Sequence, residues 1–240
     1  MRHIPNFLTS LNLAAGFFAI IYAANGDIII ASWLILAAMI FDFSDGFSAR
    51  LLKAYSAIGK EMDSLADVVS FGVAPALIIY NLLRDSLSVV VAPASSGSQE
   101  IILTVIVFLP VVMPACAALR LAKFNIDSSQ TTSFKGLPTP ASALAVISLV
   151  IAANYSDSSL LKSFTGSPVA LDVFTVVLSL LMVSRIQLLS LKVKNLKLKG
   201  NEGRYILAGL VIVSLVIFGI VAAPLIIPFY IIASLLSLLF

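Results

Sequence analysis

The chain has 240 residues, of which 60% are hydrophobic and 11% are charged, and its net charge is +3. Soluble globular domains carry about 25% charged residues, so this composition excludes a soluble globular protein and predicts a polytopic membrane protein. The chain contains one cysteine and one histidine, Cys116 and His3. These counts exclude an intrachain disulfide, a zinc–cysteine site and any catalytic or metal site built from several histidines.

Apolar segments follow one another along the chain and predict transmembrane helices separated by short polar turns. Their approximate ranges are 4–24, 28–41, 59–83, 101–121, 141–155, 169–189, 205–221 and 223–240. The first segment could instead be a secretory signal peptide, but no small-x-small cleavage site follows it. The last two are close enough to form a re-entrant hairpin, so six spans is the alternative to eight. We therefore predict an all-α, polytopic transmembrane helical bundle of about eight spans.

The placement of the basic residues predicts the orientation of the bundle. With a cytoplasmic N-terminus, the cytoplasmic segments hold thirteen of the fifteen Lys and Arg residues, and Arg84 and Lys162 fall outside. This bias matches the positive-inside rule and puts both termini, the acidic stretch described next and the FKGLPTP loop on the cytoplasmic face. The same rule makes Lys123 an ordinary anchor at the membrane face. Six basic residues lie in the 185–204 stretch, where we expect them to mark topology and attract anionic lipid head groups, with no catalytic role.

Residues 41–67 read FDFSDGFSARLLKAYSAIGKEMDSLAD and hold five of the twelve acidic residues. Helical spacing puts Asp42 and Asp45 on one helix face, and Asp63 and Asp67 on one face of a second helix. Two such helices side by side would present four carboxylates to each other, and these cannot all stay ionised without cations between them. Oxygen ligands in this number favour Mg²⁺, Mn²⁺ or Ca²⁺. The stretch therefore predicts a metal site, in which two divalent cations would clamp a pyrophosphate and neutralise the charge formed when a phosphoryl–oxygen bond breaks.

Two small residues, Gly46 and Ala49, share the helix face of Asp42 and Asp45. They would let a flat or bulky ligand approach the helix backbone, or they would only allow two helices to pack closely. Spacing alone leaves both interpretations open.

The pattern Asp42-x2-Asp45-Gly46-x2-Ala49-Arg50-x8-Gly59-x3-Asp63-x3-Asp67 resembles, position for position, the signature of the CDP-alcohol phosphotransferases. It fixes eight positions over twenty-six residues, with Ile58 as a mild departure where the family prefers Phe before Gly-Lys. The resemblance implies a six-helix membrane core, here residues 1–190, that moves a substituted phosphoryl group from a CDP-linked donor to an alcohol and releases CMP. Residues 191–240, a basic loop and two additional helices, lie beyond that core. The resemblance also implies a homodimer.

The same resemblance implies roles for individual residues. Asp42, Asp45, Asp63 and Asp67 are the implied ligands of two divalent cations, and Asp67 is also the implied base that deprotonates the acceptor hydroxyl. The implied contacts to the cytidine nucleotide and its phosphates are Asn6, Thr9, Gly46, Ala49, Arg50 and Gly59, with the carboxylates of the motif as the alternative partners of Arg50. Because Asn6, Thr9 and Asn12 recur at three-residue spacing, their alternative role is to cap or solvate the first helix.

Four further stretches resemble the bacterial-type phosphatidylserine synthase branch of this family. They read IPNFLTSLNLAAGF at 4–17, SLADVVSFGVAPA at 64–76, ALRLAKFN at 118–125 and FKGLPTPASA at 134–143. This resemblance implies CDP-diacylglycerol as donor and L-serine as acceptor, at the cytoplasmic face of a bacterial inner membrane. The expected partners are these substrates and the surrounding membrane lipids, with no nucleic acid.

Two alternatives to a serine-specific enzyme follow from the same residues. Another acceptor, such as glycerol 3-phosphate or an inositol derivative, would require an extra cluster of basic side chains near the site, and the FKGLPTP loop argues against it. An ion-coupled transporter would scatter its acidic residues over several helices, often in two related halves. Here they are concentrated on two consecutive predicted helices, and no second copy of the motif occurs.

The carboxylate of serine needs a fork of hydrogen-bond donors in a partly dry site, which an arginine supplies. Arg120 lies at the inner end of the fourth predicted span, Asn125 lies just beyond it, and Lys135 lies in the FKGLPTP loop. We expect these three, with backbone donors around Gly136, to form the serine pocket beside Asp67.

Overall fold

The computed structural model of the protein describes residues 3–90, 97–126, 134–189 and 201–237. Its helices are α1 (Ile4–Ala24), α2 (Ile28–Leu51), α3 (Ala57–Asp67), α4 (Ala74–Val90), α5 (Gly97–Phe108), α6 (Val112–Ile126), α7 (Thr139–Tyr155), α8 (Ser159–Thr165), α9 (Pro168–Val183), α10 (Glu202–Phe218) and α11 (Ile226–Leu236). Shorter irregular turns are π-helical Val68–Val73 and 3₁₀-helical Leu109–Val111 and Gly219–Leu225. Two two-residue strands, β1 (Phe134–Lys135) and β2 (Gln187–Leu188), pair antiparallel. Apart from this strand pair and short connecting segments the described ranges are helical, and the predicted all-α membrane bundle is confirmed.

Five helical stretches in the described ranges are long and apolar enough to cross a membrane. They are Ile4–Ala24, Ile28–Leu51, Ala57–Leu87, Leu103–Ile126 and Glu202–Leu236. The pair α8 and α9, bent by 79° at its break, makes a sixth if it is counted as one span. This number is below the predicted eight because α7 has 17 residues, about 25 Å of helix against a hydrocarbon core of about 30 Å. In addition, the last two predicted spans are joined through Gly219–Leu225 and count as one stretch.

α10 and α11 nevertheless fold back on each other, and we call residues 202–237 the C-terminal hairpin. Its two ends meet, since a β-carbon added to Gly203 would lie 2.8 Å from the β-carbon of Ser237. The chain reverses through Gly219–Leu225, where Gly219 has a φ of +58° that favours glycine. The predicted pair of C-terminal helices is thus present. Residues 190–200, which carry four of the six basic residues of the 185–204 stretch, lie outside the described ranges.

α1 and α2 form the most extensive helix pair of the described ranges. Both helices bury alanines, namely Ala19, Ala23, Ala31 and Ala38. Small residues let helix backbones approach closely in a membrane, where packing rather than the hydrophobic effect drives association. α1 also packs on α3 and α4. The first helix therefore contacts both α2 and α3, the two helices that carry the acidic motif.

α7 lies at the centre of the bundle, with eleven of its seventeen residues buried. A helix that is apolar all round belongs in such a position. Other helices keep large apolar side chains exposed, for example Phe17, Trp33 and Val216. These surfaces are suited to contact with lipid acyl chains.

β1 and β2 fasten the loop that precedes α7 to the segment that follows α9. Lys135 lies opposite Gln187, and the N–H of Gly136 donates to the carbonyl of Ile186 at 2.9 Å. Gly136 has a φ of +78°, and a side chain there would run into the last carbonyls of α9. Only glycine therefore suits this position, and its backbone determines where Lys135 lies.

Candidate active site

Three carboxylates from α2 and α3 lie close together. Asp42 comes from α2, and Asp63 and Asp67, one helical turn apart, come from α3; each offers an oxygen within 4.8 Å of the others. Asp67 is 7% exposed and the other two are half-buried. We call these three residues the acidic cluster. The structure brings together three of the four carboxylates that the sequence predicted as metal ligands.

The acidic cluster has the properties of a site for a divalent cation. Asp63 Oδ1 is buried and has no hydrogen-bond partner among the described residues. A buried carboxylate oxygen without a partner is costly, and three carboxylates this close repel one another unless a cation lies between them. Carboxylate oxygens are also the ligands that Mg²⁺ and Mn²⁺ prefer. The cluster could therefore hold a divalent metal.

Asp45, the fourth predicted metal ligand, is set apart from the acidic cluster. Its side chain is buried, and Oδ2 accepts a hydrogen bond from Thr9 Oγ1 at 2.5 Å. It lies about one helical turn beyond Asp42 on α2. One of its oxygens is therefore engaged by α1, and the residue lines the cavity described below together with Asp63 of the acidic cluster.

α1 holds the aspartates in place through buried polar side chains. Thr9 is 3% exposed and Asn12 is fully buried. Asn12 Nδ2 donates to Asp67 Oδ1 at 3.4 Å, and Ser70 Oγ, in the π-helical turn that follows Asp67, donates to the backbone carbonyl of Asn12 at 3.0 Å. Such turns are frequent at functional sites. Thr9 and Asn12 thus contact α2 and α3, and Thr9 Oγ1 also lies 3.1 Å from the carbonyl oxygen of Pro5 in its own helix.

A cavity of about 320 Å³ opens between α1, α2 and α3, and we call it the glycine-side cavity. Its lining includes Asn6, Thr9, Asp45, Gly46, Ala49, Arg50, Gly59, Lys60 and Asp63. All six residues predicted to contact the nucleotide donor are among them. One cavity therefore unites side chains that lie on three different helices.

The two glycines of this cavity have different amounts of space beside them. At Gly46 a side chain would meet Arg50 Nη1 at 3.9 Å and otherwise open space. At Gly59 a β-carbon would lie 2.9 Å from both Asn6 Oδ1 and Ser56 Oγ, and that serine caps α3 by accepting the N–H of Gly59 at 3.0 Å. Gly46 therefore has open space beside it, whereas Gly59 permits the close approach of α1 to α3.

A second cavity, of about 570 Å³, lies against the acidic cluster and is called here the central cavity. It is lined by the three clustered aspartates, by Arg120, Phe124 and Asn125 of α6, and by mostly apolar residues of α7 and the C-terminal hairpin. Lys60 and Asp63 line both this cavity and the glycine-side cavity. The acidic cluster therefore lies at the junction of the two.

A third cavity, of about 450 Å³, adjoins the central cavity at Arg120 and Phe124, which line both. Its cationic side chains are those of Arg120, Lys123, Lys135 and Arg185, and none of its lining residues is acidic. Arg120 is 9% exposed, and its guanidinium carbon lies 5.4 Å from the ring centre of Phe124, a cation–π contact. We call this the basic cavity, because its charge suits an anionic group.

Two members of the predicted serine pocket, Asn125 and Gly136, do not line the basic cavity. Asn125 lines the central cavity instead of the basic one, and it fastens α6 to α3: its Nδ2 donates to Ser64 Oγ at 2.9 Å and its carbonyl accepts from Lys60 Nζ at 3.0 Å. Gly136 donates its N–H to Ile186, so the backbone donor expected there is used within the fold. The basic cavity keeps the two cationic members of the predicted pocket.

Lys123 and Arg185 also line the basic cavity, although the positive-inside rule accounts for basic residues at these positions without any further role. Arg185 lies between the end of α9 and β2, and the pairing of β2 with β1 brings it to the same cavity as Lys135. A pairing of two-residue strands leaves no periodic pattern in the sequence. The position of Arg185 beside Lys135 is therefore not predictable from the sequence.

Comparison with known proteins finds a family model, described as CDP-alcohol phosphatidyltransferase, that matches residues 2–184. A CDP-diacylglycerol–serine O-phosphatidyltransferase of Helicobacter pylori (strain J99) is 36% identical over 217 residues, covering 88% of this chain and 80% of the relative. The protein of the same name from Bacillus subtilis (strain 168) is 34% identical, covering 78% of this chain and 90% of the relative. An archaetidylserine synthase of Methanothermobacter thermautotrophicus is 33% identical, covering 65% and 61%. The family match ends before the C-terminal hairpin begins.

Proposed function

This chain belongs to the CDP-alcohol phosphatidyltransferase family, and we propose that it transfers the phosphatidyl group of CDP-diacylglycerol to the hydroxyl of L-serine, giving phosphatidylserine and CMP. The observation that carries this proposal is the order of three adjoining cavities, with the acidic cluster at the junction of the glycine-side and central cavities and the basic cavity beyond. A nucleotide, a reacting phosphorus and an anionic acceptor group require these environments in this order. The names of the relatives support serine as the acceptor.

The CMP half of the donor fits the glycine-side cavity. The open space beside Gly46 would let a flat base lie against α2, and Arg50 and Lys60 supply positive charge for the diphosphate. The reacting phosphorus would then lie near Asp63, which this cavity shares with the central cavity. The diacylglycerol part would extend into the more apolar central cavity.

Two divalent cations complete the proposed site, with Mg²⁺ or Mn²⁺ preferred and Ca²⁺ as a third candidate. Asp42, Asp63 and Asp67 would hold them, and Asp45 would contribute the oxygen that Thr9 does not engage. When bound, such ions neutralise charge on the phosphoryl oxygens and on the departing nucleotide.

We assign the role of general base to Asp67. It is the most buried member of the acidic cluster, it lines the central cavity, and Asn12 fixes its carboxylate. The serine hydroxyl gives its proton to Asp67 while its oxygen forms a bond to the phosphorus. The bond from the phosphorus to the CMP oxygen breaks, and the electron pair leaves with CMP.

The basic cavity is the proposed site for the carboxylate of serine. Arg120, which also lines the central cavity, offers a planar fork of donors, and Lys135 adds a second cation. Lys123 and Arg185 bring more positive charge than a zwitterionic serine requires. This surplus is the extra basic cluster that a phosphorylated acceptor would need, and it makes glycerol 3-phosphate the second candidate.

We assign the reaction to the cytoplasmic face of a bacterial inner membrane, because thirteen of fifteen basic residues fall on one side of the predicted topology. The family resemblance supports a homodimer.

An acceptor panel tests the proposed function. Purified protein is supplied with CDP-diacylglycerol and, in turn, with L-serine, glycerol 3-phosphate or an inositol derivative, and CMP release is followed with Mg²⁺, with Mn²⁺ and with a chelator. We expect metal-dependent CMP release with serine. Release with glycerol 3-phosphate and not with serine would keep the family chemistry and overturn the choice of acceptor.

A further inference from the structure

The C-terminal hairpin lies beyond the residues that the family model matches, yet it forms part of the wall of the central cavity. Leu207 of α10 and Ile226, Ile227 and Tyr230 of α11 line that cavity together with the acidic cluster. The hairpin is therefore part of the site rather than an appendage to it.

α11 holds one residue of the preceding chain by both of its backbone groups. The N–H of Leu189 donates to Ser234 Oγ at 3.1 Å, and the hydroxyl of Tyr230 donates to the carbonyl of Leu189 at 2.9 Å. Tyr230 is 5% exposed and Ser234 is fully buried. Two side chains one helical turn apart thus fix Leu189, directly after β2.

β2, held in this way at Leu189, in turn contacts the loop that carries Lys135. β2 pairs with β1, which contains Lys135, and just beyond β1 the N–H of Leu137 donates to the carbonyl of Leu181 at 2.9 Å. Gly136 has no room for a side chain beside the end of α9. The position of Lys135 in the basic cavity therefore depends on β2, and β2 is held at Leu189 by α11.

We propose that Tyr230 and Ser234 are positioning residues for the acceptor: by holding Leu189 they place β2, and through it the loop that carries Lys135, at the basic cavity. This inference rests on the proposed function, in which the basic cavity binds the anionic group of the acceptor. Neither side chain needs to touch the acceptor. Their effect is on acceptor affinity, since the nucleotide and the acidic cluster are held by α1, α2 and α3.

Steady-state kinetics of the full-length protein test this inference. Tyr230→Phe and Ser234→Ala each remove one hydrogen bond to Leu189, and a net hydrogen bond corresponds to roughly threefold to tenfold in an equilibrium constant. We expect KM for serine to rise by about that factor in both variants. In Ser234→Ala, whose side chain does not line the central cavity, KM for CDP-diacylglycerol and kcat should stay unchanged within about twofold. Ser214→Ala is the matched control, because Ser214 is a buried serine of α10 whose hydroxyl donates to Val211 of its own helix. A fall in kcat with an unchanged KM for serine, or equal effects in all three variants, would overturn the inference.

Amide hydrogen exchange gives a readout that does not require turnover. In Tyr230→Phe and Ser234→Ala, the amides of Gly136 and Leu137 should exchange faster than in the unmodified protein and in Ser214→Ala, while α2 and α3 exchange at the same rate. Unchanged exchange at Gly136 and Leu137 would overturn the inference. So would failure of both variants to accumulate while Ser214→Ala does, since the contacts would then serve the fold as a whole. Absence of serine-dependent CMP release from the unmodified protein would contradict the proposed function instead, and faster exchange confined to the loop would still support the positioning role.

Discussion

The proposed donor side and the proposed acceptor side of the site are built from the chain in opposite ways. The acidic cluster and the glycine-side cavity draw on residues between Pro5 and Asp67, on three consecutive helices. The basic cavity draws on the end of α6, on β1 and on the segment after α9, and α11 holds that segment. The donor side is therefore a local structure that one sequence motif can encode. The acceptor side exists only when distant segments have packed, and the difference suggests that chemistry and acceptor choice can be changed separately.

The largest effect should come from removing a charge from the acidic cluster. Asp63→Asn or Asp42→Asn should lower turnover on the order of 10⁴-fold, because metal stabilisation of charge at phosphorus contributes several kcal/mol. CMP release is measured across a Mn²⁺ titration. The matched control is Asp157→Asn, an exposed aspartate paired with Lys162 far along the chain, which should be fully active. Full activity of Asp63→Asn in chelator-treated protein would contradict the metal assignment.

Replacing the proposed base should separate chemistry from donor binding. Asp67→Asn should reduce kcat by about 10²–10⁴-fold, the contribution typical of a positioned general base, while KM for CDP-diacylglycerol changes little. Isothermal titration calorimetry of CDP-diacylglycerol binding to the variant measures the affinity for the donor. Normal turnover at neutral pH would show that another group accepts the proton.

Changes in the basic cavity should affect the acceptor and spare the donor. Arg120→Lys should raise KM for serine about tenfold or more, because a charged, planar fork of hydrogen bonds is lost. Lys135→Ala and Arg185→Ala should raise it by smaller factors. Measurement of KM for both substrates in each variant provides the test, and slow hydrolysis of CDP-diacylglycerol by water should survive in all three. An equal rise in KM for serine and for CDP-diacylglycerol would contradict the assignment of the basic cavity to the acceptor.

The smallest effects distinguish the two glycines of the donor side. Gly46→Ala should be tolerated in expression and in thermal stability, since open space lies beside it. Gly59→Ala should destabilise the protein by about 1–3 kcal/mol, as overpacking does, because its new β-carbon would lie 2.9 Å from two oxygens. Thermal unfolding of both variants in the same detergent gives the comparison. Equal stability of the two would contradict the packing argument at Gly59.

The sequence predicts those parts of the site whose residues are related by helical spacing. It does not predict the parts that form only when distant segments of the chain pack together. The i, i+4 spacing of Asp63 and Asp67 predicted their shared face, and the apolar segments predicted a helical membrane bundle. By contrast, Asn12 contacts Asp67 across 55 residues, and no local pattern connects them. Arg185 looked like a topological signal because basic residues at a membrane face usually are. The hydrogen bond from the Gly136 N–H to Ile186 depends on the pairing of β1 with β2, which no local sequence pattern indicates.

The central claim is that the hydroxyl oxygen of serine attacks the phosphorus of CDP-diacylglycerol and displaces CMP. Incubation of the purified protein with CDP-diacylglycerol and serine labelled with ¹⁸O in its hydroxyl tests this directly, with both products analysed by mass spectrometry. We predict that the label appears in phosphatidylserine and is absent from CMP, and that formation of the labelled lipid requires a divalent metal. Phosphatidic acid as the only lipid product, or unlabelled phosphatidylserine, would contradict direct attack by serine.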